Sequence, residues 1–321
     1  MNNSDILEVN DLRAYYYTEA GAVRAVDGVS LGLERGLKLG LVGESGCGKT
    51  TMAMAFMRLI KPPGRIETGQ ILLDGVDLVR LSEEEMRKAR LNEISLIPQG
   101  AMNSLNPVMR VRDQIVDGMK DHDTGMTEEQ VRARAYEVLD SVELAREVAN
   151  MYPHELSGGM KQRVCVAMSI CLHPKVVIAD EPTSALDVVI QRQVMETIQR
   201  LQEEMGISMI LIGHDMGLMA QFAQRLAVMY AGRLAEIADV EDIFHEPLHP
   251  YTRLLISTLP TLSVKGVFSG IPGITPSLLN PPGGCLFHPR CPEAVDICSE
   301  QVPALKEVGP KRWVACHLCE G

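Results

Sequence analysis

The segment that most constrains the fold is Gly43-Glu44-Ser45-Gly46-Cys47-Gly48-Lys49-Thr50. It matches the pattern G-x-x-x-x-G-K-[ST] in full, and it lies between a predicted apolar strand, Leu37–Val42, and a predicted helix, Thr50–Ile60. Such a loop wraps a phosphate with its backbone N–H groups, and the following helix points its positive end at the same anion. A glycine-rich turn that binds nothing is the alternative, and the flanking strand and helix disfavour it. We therefore expect an α/β protein built around a phosphate loop.

Two acidic residues extend this interpretation. Asp180 and Glu181 directly follow a short apolar segment, Val176–Ala179. A carboxylate at this place can hold Mg²⁺, together with the hydroxyl of Thr50, while Lys49 reaches the β- and γ-phosphates. Glu181 can polarise an attacking water molecule. A solvated pair of acids at a strand end is the alternative, and the phosphate loop weakens it.

The order of predicted elements indicates a parallel sheet. The strand at 176–179 is followed by an amphipathic helix, Val188–Met205, and by a second buried strand, Met209–Ile212. Strand, helix and strand in this order require a crossover connection. Residues 5–42 are predicted to form strands separated by turns, and about 100–163 to be helical.

A second glycine-containing helix start is predicted at Leu156-Ser157-Gly158-Gly159. Ser157 is a suitable N-cap, and the two glycines allow a ligand to approach the backbone closely. One nucleotide held by the phosphate loop does not need this second helix end from the same subunit. We therefore expect the segment to contact a nucleotide bound to another subunit, although alone it would indicate only a helix cap.

Composition excludes several classes of protein. The net charge of −11 argues against broad binding of nucleic acid. No apolar run approaches the roughly 18 residues that span a bilayer. The N-terminal segment has no apolar region after a basic start, so we do not expect a signal peptide. We expect a cytosolic location instead.

Five of the eight cysteines lie within the last 37 residues: Cys285, Cys291, Cys298, Cys316 and Cys319. In a reducing compartment such a cluster favours metal binding over disulfides. The segment from 245 to 292 is rich in proline and glycine, which predicts a loop-rich module of its own. Reduced cysteines that bind nothing are the alternative.

Taken in order, the segments from Tyr16 to His214 resemble the ATP-binding subunit of an ABC transporter. The resemblance implies a P-loop ABC ATPase fold: a RecA-like parallel sheet core, an antiparallel β subdomain and a helical subdomain at about 100–163. It also implies an ABC nucleotide-binding domain at 1–245 and a small cysteine-containing extension at 246–321.

The resemblance implies individual roles. Gln99, in Leu96-Ile97-Pro98-Gln99, matches the glutamine that senses Mg²⁺ and the γ-phosphate and couples to the membrane subunits. His214 matches the histidine that contacts the γ-phosphate, and Asp187, in Ser184-Ala185-Leu186-Asp187, lies in a loop that crosses a dimer interface. Tyr16 matches the aromatic residue that stacks on adenine, with its neighbours Tyr15 and Tyr17 as alternatives.

The expected site is therefore as follows. The catalytic residues are Glu181, His214 and Gln99. The nucleotide-binding residues are Tyr16, Gly43, Glu44, Ser45, Gly46, Cys47, Gly48, Lys49, Thr50, Thr51, Ser157, Gly158, Gly159 and Asp187. The Mg²⁺ ligands are Thr50, Gln99 and Asp180.

The tail resembles the C-terminal extension of oligopeptide and dipeptide importer ATPases, in its cysteines and in His249-Pro250-Tyr251-Thr252 and Ile271-Pro272-Gly273. Met160, where many ABC ATPases carry glutamine, indicates the same branch. The cysteines that match the family pattern are Cys285, Cys291, Cys298 and Cys316. Four thiolates suit zinc or an iron–sulfur cluster. Only Cys316 and Cys319 have C-x₂-C spacing, so a [4Fe–4S] cluster is preferred over zinc, with Cys319 as the spare thiol.

The resemblance implies the ATP-hydrolysing subunit of an importer, most readily of oligopeptides or dipeptides, peripheral on the cytoplasmic side of the membrane. Its expected partners are a homologous second ATP-binding subunit, two transmembrane permease subunits and an extracellular solute-binding protein, with no nucleic acid. Oligosaccharide and nickel are alternative solutes. A soluble ABC ATPase acting on DNA or ribosomes is disfavoured, because the chain has one cassette and lacks coiled-coil or zinc inserts. A regulatory subunit without turnover is disfavoured by the intact Glu181.

Overall fold

The structure is a computed structural model that describes residues 5–100, 104–122, 124–184, 186–259 and 270–319. The chain divides into two compact units. The first unit consists of Met1–Leu7, Leu33–Leu37 and Asp77–Ile212, and the second of Glu8–Gly32, Lys38–Val76 and Gly213–Gly321.

The described residues form strands and helices in alternation. The strands are β1 (Asp5–Thr18), β2 (Gly21–Glu34), β3 (Lys38–Val42), β4 (Gly64–Leu73), β5 (Val76–Asp77), β6 (Ile94–Ile97), β7 (Val176–Asp180), β8 (Ser208–Gly213), β9 (Arg225–Tyr230), β10 (Arg233–Asp239), β11 (Lys306–Gly309) and β12 (Arg312–Val314). The helices are α1 (Lys49–Phe56), α2 (Glu83–Ala89), α3 (Val111–Lys120), α4 (Glu128–Ser141), α5 (Gly158–Ile170), α6 (Val188–Met205), α7 (Met216–Phe222), α8 (Val240–His245), α9 (Pro250–Ser257) and α10 (Asp296–Glu300).

The first unit contains the predicted parallel sheet. β6 pairs with β7, and β7 with β8, all in parallel. Both β7 and β8 are buried along their whole length, which is why they appear in the sequence as continuous apolar runs. The crossover helix α6 has the bounds predicted from its periodicity. Asp187 caps its first turn and Gly206, at φ 65°, ends it in the left-handed conformation.

Two helices of the first unit begin at capping boxes. Ser82 and Glu85 form a capping box at the start of α2, and Thr127 and Gln130 form another at the start of α4. α3, α4 and α5 pack together, and α4 buries one face, which consists of Val131, Ala135, Val138 and Leu139. This confirms the helical character of the region around 100–163.

The second unit holds the strand that precedes the phosphate loop. β3 pairs in parallel with β9, and antiparallel strands continue the sheet in the order β3-β9-β10-β12-β11. A four-stranded sheet has the order β2-β1-β4-β5, and nearly all of its residues belong to this unit.

α1 ends earlier than the sequence predicts. Its last residue is Phe56 rather than Ile60, because Arg58 takes a left-handed φ of 48° and the N–H of Leu59 donates to the carbonyl of Met54 over 2.8 Å. This six-to-one hydrogen bond is a Schellman ending, here without the usual glycine. The next strand, β4, begins at Gly64 and has ten residues.

The cysteine-containing tail belongs to the second unit. β12 pairs with β10 in antiparallel fashion, with Glu236 opposite Val314, and β11 pairs with β12. The tail thus adds two strands to the sheet that carries the phosphate loop. Within the part of the chain that the structure describes, no helix has the length and apolar character that crossing a membrane requires.

Candidate functional site

The phosphate loop connects the fully buried strand β3 to α1 in the second unit. Gly48, the N-cap of α1, has φ 108°, and a Cβ atom there would lie 2.0 Å from the carbonyl oxygen of Ala25. At Gly43, with φ 150°, a Cβ atom would lie 2.1 Å from the carbonyl oxygen of Met229. Packing against the backbone of neighbouring strands therefore requires glycine at both ends of the loop.

Lys49 is held inside this loop. Its side chain is buried, and Nζ donates to the carbonyl oxygens of Gly43 over 2.8 Å and Glu44 over 3.1 Å. Ser45, Gly46 and Thr50 are exposed. The loop thus presents a rim open to solvent, with a lysine ammonium beneath it that can exchange carbonyl partners for phosphate oxygens.

Cys47 is the buried member of the loop. Burial raises the pKa of its thiol, and Nζ of Lys49 lies 3.7 Å from Sγ. Its backbone carbonyl accepts a hydrogen bond from the N–H of Gly232 over 2.9 Å. Cys47 therefore fixes the underside of the loop by packing, while Thr51, the next predicted contact after Thr50, lies in the first turn of α1.

The two predicted acids lie at the end of β7 in the first unit. Asp180 is completely buried, and Glu181 takes a left-handed φ of 43° while its N–H donates to the carbonyl of Ile212 over 2.9 Å. A glutamate in this conformation stores backbone strain of about 1–2 kcal/mol, which is characteristic of functional sites. Asp180 is thus fully buried, whereas Glu181, the next residue, is half-buried.

Gln99 and Glu181 are brought together in the first unit. Nε2 of Gln99, two residues after β6, donates to Oε2 of Glu181 over 2.8 Å. The sequence predicted both residues as functional but did not predict this contact. Parallel pairing of β6 with β7 explains it, since the carboxyl ends of neighbouring parallel strands meet at one edge.

Ser157 caps α5 as predicted from its residue type, and its Oγ accepts from the N–H of Met160 over 3.3 Å. Ser157 is exposed, and Gly158 and Gly159 form the first turn. A Cβ atom on Gly159 would lie 2.6 Å from Cγ2 of Ile190 in α6. Gly159 therefore serves close packing of α5 against α6, a role that the sequence did not indicate.

The remaining predicted residues fall in both units. Asp187 caps α6 by accepting from the N–H groups of Val189 and Ile190, both over 3.1 Å. Its neighbour in the predicted interface loop, Ala185, lies outside the described residues. His214 directly follows β8 and is exposed, in the second unit.

Tyr16 lies in β1 of the second unit, and its ring covers Gly64, where a Cβ atom would lie 2.5 Å from Cε1 of the tyrosine. The hydroxyls of its two neighbours, Tyr15 and Tyr17, are hydrogen bonded to carboxylates. The hydroxyl of Tyr15 donates to Asp27 over 2.6 Å, and that of Tyr17 donates to Glu67 over 2.8 Å.

The four cysteines predicted to act together interact in the second unit. Burial raises the pKa of Cys285, and the thiols of Cys298 and Cys316 raise it further. The pKa of Cys291 is also raised, first by burial and then by the thiols of Cys316 and Cys298. Burial raises the pKa of Cys316 to about 11. All are free cysteines.

Backbone N–H groups face three of these sulfur atoms: those of Phe287, Glu293 and Leu318 hydrogen bond to Cys285, Cys291 and Cys316, respectively. Donors of this kind favour thiolates. Yet among the described residues no group of three or more His, Cys, Asp or Glu side chains has the arrangement that holds a metal ion.

The sequence did not indicate two residues that contact the phosphate loop, Tyr251 and Arg290, or a third, Tyr230, that contacts Arg290. Tyr251 accepts from the N–H of Glu44 over 2.9 Å, and Arg290 forms an ion pair with the Glu44 carboxylate at 2.7 Å. Tyr230, at the end of β9, hydrogen bonds to Arg290 over 3.2 Å. The only signals were the segment around Tyr251, which resembles the extension of peptide-importer ATPases, and the position of Arg290 directly before a cysteine.

Comparison with known proteins adds two family matches. The family described as ABC transporter matches residues 26–184, and the family described as oligopeptide/dipeptide transporter, C-terminal region, matches residues 235–298.

Similar proteins extend over nearly the whole chain. The dipeptide transport ATP-binding protein DppD of Caldanaerobacter subterraneus subsp. tengcongensis is 43% identical over 319 residues, which cover 99% of this chain and 98% of that protein. The oligopeptide transport ATP-binding protein OppD of Bacillus subtilis is 44% identical over 318 residues, 98% of this chain and 88% of that protein.

Among solved structures, the ATP-binding cassette MJ0796, a dimer in a post-hydrolysis state bound to ADP and Pi, has a TM-score of 0.65 and 27% identity. The match covers 73% of this chain and 98% of that one. CbiO1 of Clostridium perfringens, part of an ABC transporter complex, has a TM-score of 0.64 and 26% identity, over 76% of this chain and 92% of that one.

Proposed function

The chain belongs to the ATP-binding subunits of ABC transporters, in the branch with the oligopeptide/dipeptide C-terminal region, and we propose that it hydrolyses ATP to drive uptake of oligopeptides or dipeptides. One observation carries the catalytic part of this proposal. Glu181, strained at the end of β7, stands beside the buried Asp180 and receives a hydrogen bond from Gln99.

The residues that would contact ATP and Mg²⁺ each have a proposed chemical role. Lys49, now bonded to loop carbonyls, donates to the β- and γ-phosphates, and the N–H groups at the start of α1 stabilise their negative charge. Thr50, Gln99 and Asp180 offer hard oxygen donors, which suit Mg²⁺, and the ion when bound neutralises charge on the phosphates. Tyr16 stacks on adenine, which the engagement of Tyr15 and Tyr17 with carboxylates supports.

Glu181 is proposed to accept a proton from the attacking water, and His214 to hold the γ-phosphate. The hydrogen bond from Gln99 restrains the Glu181 carboxylate before nucleotide binds. Gln99 would hold Mg²⁺ when the ion is bound, and the Glu181 carboxylate would accept the proton of the attacking water. Catalysis then consists mainly of positioning and charge stabilisation.

Ser157, Gly158 and Gly159 are proposed to contact ATP held by a second cassette, and Asp187 to lie at the interface between the two. The exposed Ser157 at the start of α5 supports this role. We propose that the second cassette is a homologous but different chain, that both work with two transmembrane permease subunits and an extracellular solute-binding protein, and that this chain is peripheral on the cytoplasmic face. The boundary between cassette and extension is proposed near residue 245.

A [4Fe–4S] cluster on Cys285, Cys291, Cys298 and Cys316 is the proposed state of the tail. These four cysteines would hold the cluster, and the interaction among their thiols supports a shared ligand set. The backbone donors to three sulfur atoms support thiolate ligation. When bound, such a cluster would crosslink a segment with little apolar core.

Anaerobic purification tests the cluster. We expect brown protein with visible iron–sulfur absorbance and about four iron atoms per chain. The Cys298→Ser variant should lose both the absorbance and the iron. Cys319→Ser is the matched control and should keep the colour. Colourless wild-type protein, with zinc or without metal, would refute the cluster.

The transport function is tested with the complex reconstituted in liposomes together with its cognate permeases and binding protein. We expect peptide-loaded binding protein to raise ATP hydrolysis and labelled peptide to accumulate inside. Stimulation by an oligosaccharide or by Ni²⁺ instead of peptide would refute the proposed substrate and leave the ATPase intact. Absence of ATP hydrolysis under every condition would refute the catalytic roles as well.

A further inference from the structure

The cysteine segment of the tail contacts the phosphate loop through one arginine. The side chain of Arg290 is only 4% exposed, and its two terminal nitrogens donate to the two carboxylate oxygens of Glu44, over 2.7 Å and 3.0 Å. Both residues belong to the second unit. A bidentate, nearly buried pair of this kind fixes distance and orientation together.

The backbone of Glu44 is held from two further directions. The buried hydroxyl of Tyr251 accepts from its N–H over 2.9 Å, and Lys49 donates to its carbonyl over 3.1 Å. The hydroxyl of Thr275 donates to the same carboxylate over 3.4 Å. Tyr251 and Thr275, like Arg290, lie beyond residue 245, so the extension supplies most of these restraints.

The other end of this contact is set by the cysteines. Arg290 lies in a tight turn in which the N–H of His288 donates to the carbonyl of Cys285 over 3.0 Å and that of Cys291 to His288 over 3.2 Å. The backbone N–H of Cys285 in turn donates a hydrogen bond to the carbonyl of Cys298 over 2.8 Å. The position of the guanidinium is thereby tied to the backbone of three cysteines.

A cluster of aromatic side chains packs beside Arg290. Phe287, in the same turn, packs against Tyr230 and Tyr251 with ring centroids 5.2 Å and 5.4 Å away, and all three rings are buried. Tyr230 also hydrogen bonds to Arg290. These rigid side chains leave the turn little freedom to move without shifting Tyr251, and with it the N–H of Glu44.

We propose that Arg290 is a positioning residue for ATP binding, through which the cysteine module holds the phosphate loop in its binding shape. Two effects act together. The ion pair fixes the second residue of the loop, so less ordering is left for the nucleotide to impose. It also neutralises a carboxylate that would otherwise repel the phosphates. This inference rests on the proposed ATP site and adds a dependence of ATP affinity on the extension.

The test compares variants of the full-length chain by titration with a fluorescent ATP analogue and Mg²⁺. Arg290→Ala should weaken binding roughly tenfold, as loss of a charge-assisted pair implies. Glu44→Ala should weaken it less than that, because it also removes the repulsive carboxylate. The double variant should resemble Glu44→Ala, since Arg290 acts through Glu44. Arg290→Lys, which keeps the charge but not the fork, should be intermediate.

Arg253→Ala is the matched control. This variant breaks another ion pair of the extension, the one between Arg253 and Glu293 at 2.9 Å. Both side chains of that pair are half-exposed, and the pair does not include Glu44. The variant should change ATP affinity less than twofold. In the reconstituted complex, Arg290→Ala should raise KM for ATP about as much as Kd and leave kcat within about twofold, a split that general loss of structure would not give.

Two results would overturn the inference. One is ATP affinity within twofold of wild type in Arg290→Ala or, should that variant not fold, in Arg290→Lys. The other is an equal loss in Arg253→Ala. Failure of the wild-type chain to bind ATP at all would instead refute the proposed function, so the two failures are distinguishable.

Discussion

At the scale of single residues, the phosphate loop shows which requirements a motif contains and which it conceals. The pattern at 43–50 specifies glycine at Gly43 and Gly48, and in the structure both approach backbone carbonyls of neighbouring strands. The pattern leaves Glu44 open, yet this side chain forms the ion pair with Arg290. A position that a motif leaves variable can thus be the one that a particular chain uses for its own contacts.

The two kinds of glycine in the loop predict different stabilities. Gly46→Ala should cost about 1–2 kcal/mol, because φ is 79° but nothing lies within 4 Å of the added methyl group. Gly48→Ala should cost at least twice as much, because its Cβ would lie 2.0 Å from the carbonyl of Ala25. Urea unfolding of the two variants gives the comparison. Equal losses would show that strain at φ, and not the backbone contact, requires glycine at 48.

At the scale of elements, patterns along the chain predicted the first unit well. The amphipathic period predicted both bounds of α6, Ser157 predicted the start of α5, and apolar runs predicted β7 and β8. The early end of α1 was missed because Arg58 takes a conformation usually reserved for glycine. Local pattern therefore predicts an element well where burial and capping agree, and it fails where a residue other than glycine takes the left-handed conformation that ends a helix.

Helix α9 predicts a pH effect on stability. Its N-cap, His249, is buried, and burial lowers the pKa of its imidazole to about 4, while Nδ1 accepts from the N–H of Tyr251 over 3.0 Å. The unfolded chain binds this proton near pH 6.5, so the contribution is present above that pH and is lost as pH falls toward 4. Between pH 7.5 and 5 the loss should be about 2 kcal/mol.

Chemical unfolding at these two pH values, in the wild type and in His249→Asn, measures this effect. Asparagine can still cap α9 with its side-chain oxygen but does not titrate. The variant should lose about 2 kcal/mol less than the wild type on acidification. An equal pH dependence in both proteins would show that His249 does not titrate between these values.

At the scale of the whole molecule, the order of motifs along the chain predicted the family and its chemistry, while contacts distant in sequence were not predictable. The pair Gln99–Glu181 spans 82 residues and Glu44–Arg290 spans 246. Neither pair has a local period or spacing that indicates it, since each depends on how separate strands and loops fold together. The pairing of β12 with β10 likewise was not indicated by the loop-rich composition of the tail.

Glu181→Gln in the reconstituted transporter most directly tests whether this chain hydrolyses ATP to drive import with Glu181 as the catalytic base. ATP hydrolysis and peptide uptake should both fall by about a hundredfold or more, with ATP binding retained, because loss of a general base typically costs this much. Glu196→Gln, at an exposed acid of α6 paired with Arg192, is the control and should retain both activities. Hydrolysis and uptake at wild-type rates in Glu181→Gln would contradict the account.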